Sequence, residues 1–336
     1  MASPPKVSVI VPAYNAASTL AASIDSLQRQ TLNEIEIVVV DDASTDETNR
    51  IIHSLAAADA RIVALRLRQN AGVHEARLAG MKACQAPWIG FLDADDFARP
   101  AMYSTMLEAG LEHAVDIVMC GSDRVTDARV PIAPKQHFGE SRRIEADIFR
   151  RLCTWEFGTG SLWNKLFRRS VIAPWFDLHF PWKQSINEDL LLNIGCFSKA
   201  NSVYLLRDVL HEYVRSERSV TSIISPTQAF TETFRAYALA VSSFQHLGDA
   251  ALSDIIDLYR LQLNGESCRV DRSAALGAHR DELEAAVTML FRSNPQALAA
   301  ITARGEPATV SGHEALRSLY KAVRGRFRSA GGRKGP

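Results

Sequence analysis

The chain has 336 residues, 47% hydrophobic and 23% charged, and its 38 basic and 38 acidic side chains balance to zero. That length predicts a main domain with an appended one, the composition is that of a globular protein, and the lack of a net field excludes nucleic acid recruited by overall charge. Five scattered cysteines, Cys84, Cys120, Cys153, Cys196 and Cys268, are odd in number and lack metal spacing, which excludes a disulfide framework and makes each a buried small hydrophobe in a reducing compartment.

Val7–Val11 reads as a strand stopped by Pro12, which cannot donate to a ladder, and Ala13, Tyr14 and Asn15 follow at its end. Ser18 or Thr19 can cap a helix through about Gln30, with Leu20, Ile24 and Leu27 on one face. Glu36–Val40 is a second apolar strand, ended by Asp41 and Asp42. Ser44-Thr45-Asp46-Glu47 reads as a capping box opening a helix with Ile51, Ile52 and Leu55. Ile62–Leu67 is a third strand, and Asn70-Ala71-Gly72 turns into a helix bearing Ala76, Arg77, Gly80 and Met81. Trp88–Leu92 is the fourth. This strand–helix alternation implies a parallel sheet.

Asp93, Ala94, Asp95 and Asp96 follow that fourth strand at once. Acids at the C-terminal end of a buried parallel strand stand where open α/β sheets bind ligands. If strand geometry persisted, Asp93 and Asp95 would point together and Asp96 the other way. Crowded carboxylates repel, and a hard divalent cation with oxygen ligands relieves them; Mg²⁺ or Mn²⁺ suits a site shared with phosphate or water. Three strand ends, Pro12 to Asn15, Asp41-Asp42 and Asp93 to Asp96, thus converge on one crevice.

Pro100 fits the first turn of a helix to about His113, and Asp116–Cys120 is another strand. From Gly121 to Ser185 the pattern weakens, with a strand over Gly160–Phe167 and a short helix over Arg169–Ala173 stopped by Pro174. Trp163, His179 and Trp182 in this stretch either stack on a ligand or pack in the core. Asn187 can cap a helix with Glu188 and Asp189 in its first turn. Val203–Leu206 and Val209–Tyr213 are two short strands; His211 on the second is either structural or near the metal or diphosphate. From about Thr227 the chain is helical by period. The stretch after Glu314 carries seven basic residues and no acid.

VSVIVPAYN (Val7–Asn15), IVVVDDASTDET (Ile37–Thr48), NAGVHEARLAG (Asn70–Gly80), FLDADD (Phe91–Asp96), WNKLFRR (Trp163–Arg169) and NEDL (Asn187–Leu190), in this order, resemble the family 2 glycosyltransferases of the GT-A fold over roughly residues 6 to 220. The resemblance implies an α/β, Rossmann-like fold: a mostly parallel central sheet flanked by helices, followed by a helical C-terminal region. The domains expected are 1–222 for donor binding and catalysis, 223–322 for the helical region and 323–336 for a basic flexible tail. It implies an inverting enzyme using a nucleotide-diphospho-sugar, best a UDP-sugar, with Mg²⁺ or Mn²⁺, and a saccharide or lipid-linked acceptor in cell-surface polysaccharide or glycoconjugate synthesis.

By the same resemblance, Pro12, Ala13 and Tyr14 lie against the base, Asp42 accepts from its ring N–H, and Arg77 is near the diphosphate. Ala94 and Asp95 meet ribose and diphosphate, Asp95 ligates the metal, Asp93 serves ribose or metal, and Asp189 is the catalytic base. Two departures stand out. The Gln-x-x-Arg-Trp motif of processive polymerases is absent, which implies transfer of one or few sugars. Tyr213 is followed by Val214, with Arg215 one place late and Ser219 in register.

Left open beside this reading are a catalytically inactive nucleotide-sugar-binding protein and a nucleotidyltransferase, although Pro12-Ala13-Tyr14-Asn15 stands where the latter usually has a Gly-rich basic loop. No G-x-G-x-x-G fingerprint follows the first strand, which argues against a dehydrogenase. No segment approaches the ~18 unbroken apolar residues of a membrane span, and Met1–Lys6 lacks a signal-peptide core, so a cytoplasmic protein is expected. The basic tail is either solvated or drawn to anionic lipid at the inner membrane face. The helical region binds acceptor, forms an oligomer or covers the sheet edge.

Overall fold

The computed structural model describes residues 3–215, 223–268, 272–302 and 321. Ser219 and, Lys321 apart, the basic stretch after Glu314 lie outside them. The described residues form two compact units: residues up to Lys183 with those from Leu192 to Arg215, and Gln184–Leu191 with those from Ile223 on.

In the first unit, every residue of β1 (Val7–Ala13) and β2 (Ile35–Asp41) is buried, as befits strands covered on both faces. With β3 (Ile62–Arg66) and β4 (Trp88–Phe91) they make a parallel set in spatial order β3-β2-β1-β4. The crossovers are α1 (Leu20–Gln28), α2 (Thr48–Ala58) and α3 (Val73–Ala83). Leu20, Ile24 and Leu27 of α1 share a core with Val7, Val9 and Val11. Helix α3 covers the opposite face, where a Cβ at Gly80 would come 2.5 Å from Ile10 Cγ2; the glycine permits this close approach.

Beyond β4 the directions mix. β5 is Phe97–Ala98, followed by α4 (Met102–Glu112), β6 (Ile117–Val125), β7 (Pro131–Gln136), β8 (Arg142–Ile144) and α5 (Ile148–Cys153). β9 (Lys165–Arg168) inserts antiparallel between β4 and β6, then come α6 (Arg169–Ile172), α7 (Glu188–Lys199) and β10 (Val203–Val214), which runs parallel to β6. β5 and β8 pair antiparallel with β10, and β7 with β6. In this ten-stranded sheet β1–β4, β6 and β10 point one way, so most strands are parallel.

Several local expectations are corrected. The capping box does not form: α2 has no side-chain cap, because Ser44 Oγ and Thr48 Oγ1 accept the N–H groups of Asn15 and Ala16 and so tie two loops together. Gly160–Asn164 is loop, and only Lys165–Arg168 pairs as strand. Pro174 lies inside a 3₁₀ turn, Ala173–Trp175, that continues the short helix. The two strands after α7 are one, broken in register between Leu205 and His211. The cysteines are all free and buried, as expected.

In the second unit, α8 (Pro226–Phe244) is buried around most of its circumference, the pattern of a central helix. Ser225 caps it by accepting the Gln228 N–H, with Pro226 in its first turn. Around it lie α9 (Asp249–Asn264), α10 (Arg272–Ala278), α11 (Arg280–Ser293) and α12 (Pro295–Thr302). Tyr237 stacks obliquely on Tyr259 and donates its hydroxyl to the Ala297 carbonyl.

Candidate active site

The ends of β1, β2 and β4 are neighbours, since β1 pairs with both others and the Asp42 N–H continues the ladder onto the Ala13 carbonyl. Pro12 and Ala13 are buried, whereas Tyr14, past the strand, is 49% exposed. An exposed aromatic on a strand-end loop is placed for a ligand rather than the core. Asn15 holds a left-handed backbone and accepts the Thr45 N–H through its side chain, closing the β1 and β2 loops on each other.

Asp41 and Asp42 face opposite ways, as strand alternation requires. Asp41 Oδ1 accepts the Ser44 N–H at 2.8 Å and Arg66 lies 3.0 Å from Oδ2. Asp42 accepts the Ala71 and Gly72 N–H groups, at 2.7 and 2.8 Å, one on each oxygen. Asp42 therefore pins the turn that starts α3, where Gly72 takes a positive φ of 97° that suits glycine.

At the end of β4 the strand stops at Phe91 and the chain turns, Asp96 N–H bonding back to the Asp93 carbonyl. The alternation expected for Asp93, Asp95 and Asp96 therefore does not apply. Instead Asp93 is part-exposed and receives the buried Arg77 guanidinium at 3.1 Å, so Arg77 is no solvated surface charge. Asp95 is pushed up to about 7, first by burial, then by the charges of Asp96 and Asp93. Asp96 is almost fully buried and its carboxyl is raised well above the usual range, by burial and then by Asp93.

Asp96 links the turn to β10. Its Oδ1 accepts the Val214 N–H at 2.8 Å, while Oδ2 lies 3.4 Å from His211 Nε2, and neither of the latter atoms has a hydrogen-bond partner among the described residues. His211 is fully buried, its Nδ1 3.0 Å from Ser122 Oγ, and burial lowers its pKa to about 3, so the imidazole is neutral. Trp163 stacks on it at 4.2 Å and leans on Tyr213 at 5.9 Å. Trp163 is thus a buried wall rather than a sugar platform, held by its own loop: the buried Lys165 ammonium donates to the Thr159 and Ser161 carbonyls and to Asn164. His179 is on the surface and bonds Glu75.

These carboxylates suit a divalent cation chemically. They are oxygen donors, crowded and desolvated, with a buried Asp96 oxygen lacking a hydrogen-bond partner. Among the described residues no group of three or more His, Cys, Asp and Glu is arranged to hold an ion by itself, so phosphate or water would have to complete the coordination.

Asp189 belongs to the second unit, in the first turn of α7 with Glu188. Its Oδ1 accepts the Leu190 N–H at 2.8 Å. The segment before it is fixed within that unit: Gln184 donates to the Glu232 carbonyl, Glu232 Oε2 accepts the Ser185 N–H, and Asn187 donates to Thr233.

The model of glycosyl transferase family 2 matches residues 8–176 of the chain. The chain belongs to that family. It is 30% identical over 263 residues to the uncharacterized glycosyltransferase EpsJ of Bacillus subtilis, covering 76% of this chain and 74% of that protein. It is 40% identical over 116 residues, a third of each chain, to the succinoglycan biosynthesis protein ExoO of Rhizobium meliloti. The crystal structure of residues 1–349 of Staphylococcus aureus TarS in complex with UDP-GlcNAc matches with a TM-score of 0.66 at 20% identity, over 97% of this chain and 92% of that one, a likeness of fold. This family 2 glycosyltransferase is a transferase that acts on a nucleotide sugar, and enzymes of the family generally use a divalent metal. No helix among the described residues is long and apolar enough to cross a membrane.

Proposed function

We propose that this glycosyltransferase moves a single sugar, with inversion, from a UDP-sugar to a hydroxyl of a saccharide or lipid-linked acceptor in cell-surface polysaccharide or glycoconjugate synthesis. The observation that carries the reading is the crowd of carboxylates at the end of β4, where Asp95 is held near 7 by burial and by its neighbours. A folded protein tolerates such repulsion where a ligand relieves it, and perturbed acids in this position mark function. The choice of UDP is supported by the fold shared with TarS, which binds UDP-GlcNAc.

In this reading Pro12, Ala13 and Tyr14 bear on the base and Asp42 faces its ring N–H, each of its oxygens keeping a lone pair beyond the loop amides. Arg77 steadies Asp93 beside the diphosphate, and Ala94 lets the ribose approach closely. Asp95 and Asp93 would hold a Mg²⁺ or Mn²⁺ ion, which would supply Lewis-acid stabilisation to the departing diphosphate. Asp189 removes the acceptor hydroxyl's proton as the new bond forms. Its place in a helix first turn favours the ionised form that a base needs.

The test is Asp189→Asn. Turnover of the UDP-sugar, followed as UDP release with MnCl₂, should fall by about 10²-fold or more, while the rise in melting temperature caused by UDP and Mn²⁺ persists. Unimpaired release in the variant defeats the assignment of the base, and release in the wild type that EDTA leaves untouched defeats the metal.

A further inference from the structure

The acid cluster is approached by a cation that nothing in the sequence singles out. β7 pairs with β6 so that Ser122 meets Gln136 and Asp123 meets Pro134, and Lys135 is the extra residue between them. A bulge of this kind bends its strand and re-aims a side chain, and bulges gather beside active sites. Here Lys135 crosses the face of Tyr213, its Nζ 4.6 Å from the ring centroid. Tyr213 is followed by Val214, whose N–H binds Asp96, and it leans on the Trp163 ring that stacks on His211.

The charge balance gives this placement a purpose. A nucleotide-sugar brings two phosphate charges to a turn that already carries three carboxyl groups, and breaking the sugar–phosphate bond adds another. Arg77 is engaged with Asp93. Lys135 is half-buried with its ammonium over an aromatic ring, and partial exclusion of water strengthens a charge interaction there. A lysine ammonium is a compact charge with rotatable donors, able to follow phosphate oxygens as they move.

We propose that Lys135 contacts the diphosphate of the nucleotide-sugar donor and holds the leaving phosphate as negative charge grows on it. This assignment rests on the donor reading above.

The full-length protein with MnCl₂ is titrated with UDP, dTDP and GDP and with the matching monophosphates. Lys135→Met keeps an unbranched side chain and removes the charge; it should weaken the preferred nucleoside diphosphate about tenfold or more and change the monophosphate far less. Lys135→Arg, which keeps the charge, should stay within about threefold of wild type. Melting temperatures without nucleotide report whether each variant folds, and Lys135→Gln carries the same comparison if Lys135→Met does not. Undiminished diphosphate binding by the folded neutral variant overturns the assignment. So does an equal loss for mono- and diphosphate, since a residue that only props Tyr213 would affect both alike. A wild-type protein that binds none of the three diphosphates overturns the donor reading, and the assignment falls with it.

Discussion

At the end of β2, Asp41 and Asp42 receive three backbone N–H groups and an arginine; at the end of β4, half-buried Asp95 and buried Asp96 crowd each other and Asp93. Both are apolar strands running straight into acids, and both sit on the same side of the sheet. The first pair is engaged in building loops, and each charge meets donors there. The second group is held in conflict by the same fold, and an incoming cation would relieve it. A binding site is thus distinguished here less by the presence of carboxylates than by what the fold withholds from them.

The comparison is broken most severely at Asp95. Asp95→Asn keeps the shape of the side chain and removes the charge, so donor turnover should fall by about 10²–10³-fold, the scale of losing one electrostatic stabiliser. The metal-free protein should at the same time be as stable as wild type at neutral pH, or more so, because a repelled carboxylate has gone. A variant that keeps full turnover would show that Asp95 serves only its own turn.

The acidity of Asp95 gives a second way to separate the two strand ends. Its folded pKa of about 7 stands above the ordinary value of 3.8, so between these values the folded state holds more protons than the unfolded. Stability from this group is therefore complete below about pH 4 and is lost as pH rises through 7. Melting temperatures of the metal-free protein across that window, compared with Asp95→Asn, should show a falling contribution present only in the wild type. Saturating Mn²⁺ should flatten it by favouring the ionised acid. A contribution that rises with pH would contradict the burial and repulsion read from the turn.

Sequence patterning made the parallel half legible because β1, β2 and β4 are short apolar runs, although β1 continues through Pro12 to Ala13, and because Leu20, Ile24 and Leu27 mark one helical face. It could not tell the two acid groups apart, since the partners of Asp42 are backbone amides 29 and 30 residues away. It failed between Gly121 and Ser185 for a related reason. β7 is an exposed edge strand with two prolines and a broken register, so it has no alternation to read, and Lys135 owes its direction to that irregularity. Ser44 misled for the opposite reason: the local capping pattern is present, but a tertiary donor, the Asn15 N–H, takes the hydroxyl.

At the β2 end the expected losses are in stability first. Asp42→Asn replaces one acceptor oxygen with an amide group that faces an N–H, leaving a backbone donor at Ala71 or Gly72 without its partner. The cost should be about 1–3 kcal/mol by denaturant titration, and nucleotide binding should weaken because the turn into α3 is no longer held. A variant with wild-type stability but impaired nucleotide binding would instead make Asp42 a pure base-reading residue and bring the two strand ends closer together in kind.

The smallest expected effect belongs to Ser44. Its hydroxyl oxygen accepts the Asn15 N–H at 2.9 Å, and its own N–H is taken by Asp41, so it joins the loop that carries Tyr14 to the loop built by the β2 acids. Ser44→Ala removes only the first of these bonds, next to a part-exposed amide that water can reach, and should cost about 1 kcal/mol. If Ser44 instead acted as the helix cap its sequence context suggests, the loss would appear as fraying of α2, with faster amide exchange at its first turn and none at Asn15. Exchange that quickens at Asn15 while Ala16, bonded to Thr48, and α2 stay protected is the outcome the tertiary bond requires, and it would place the weakness in the loop pair that carries Tyr14 rather than in the helix behind it.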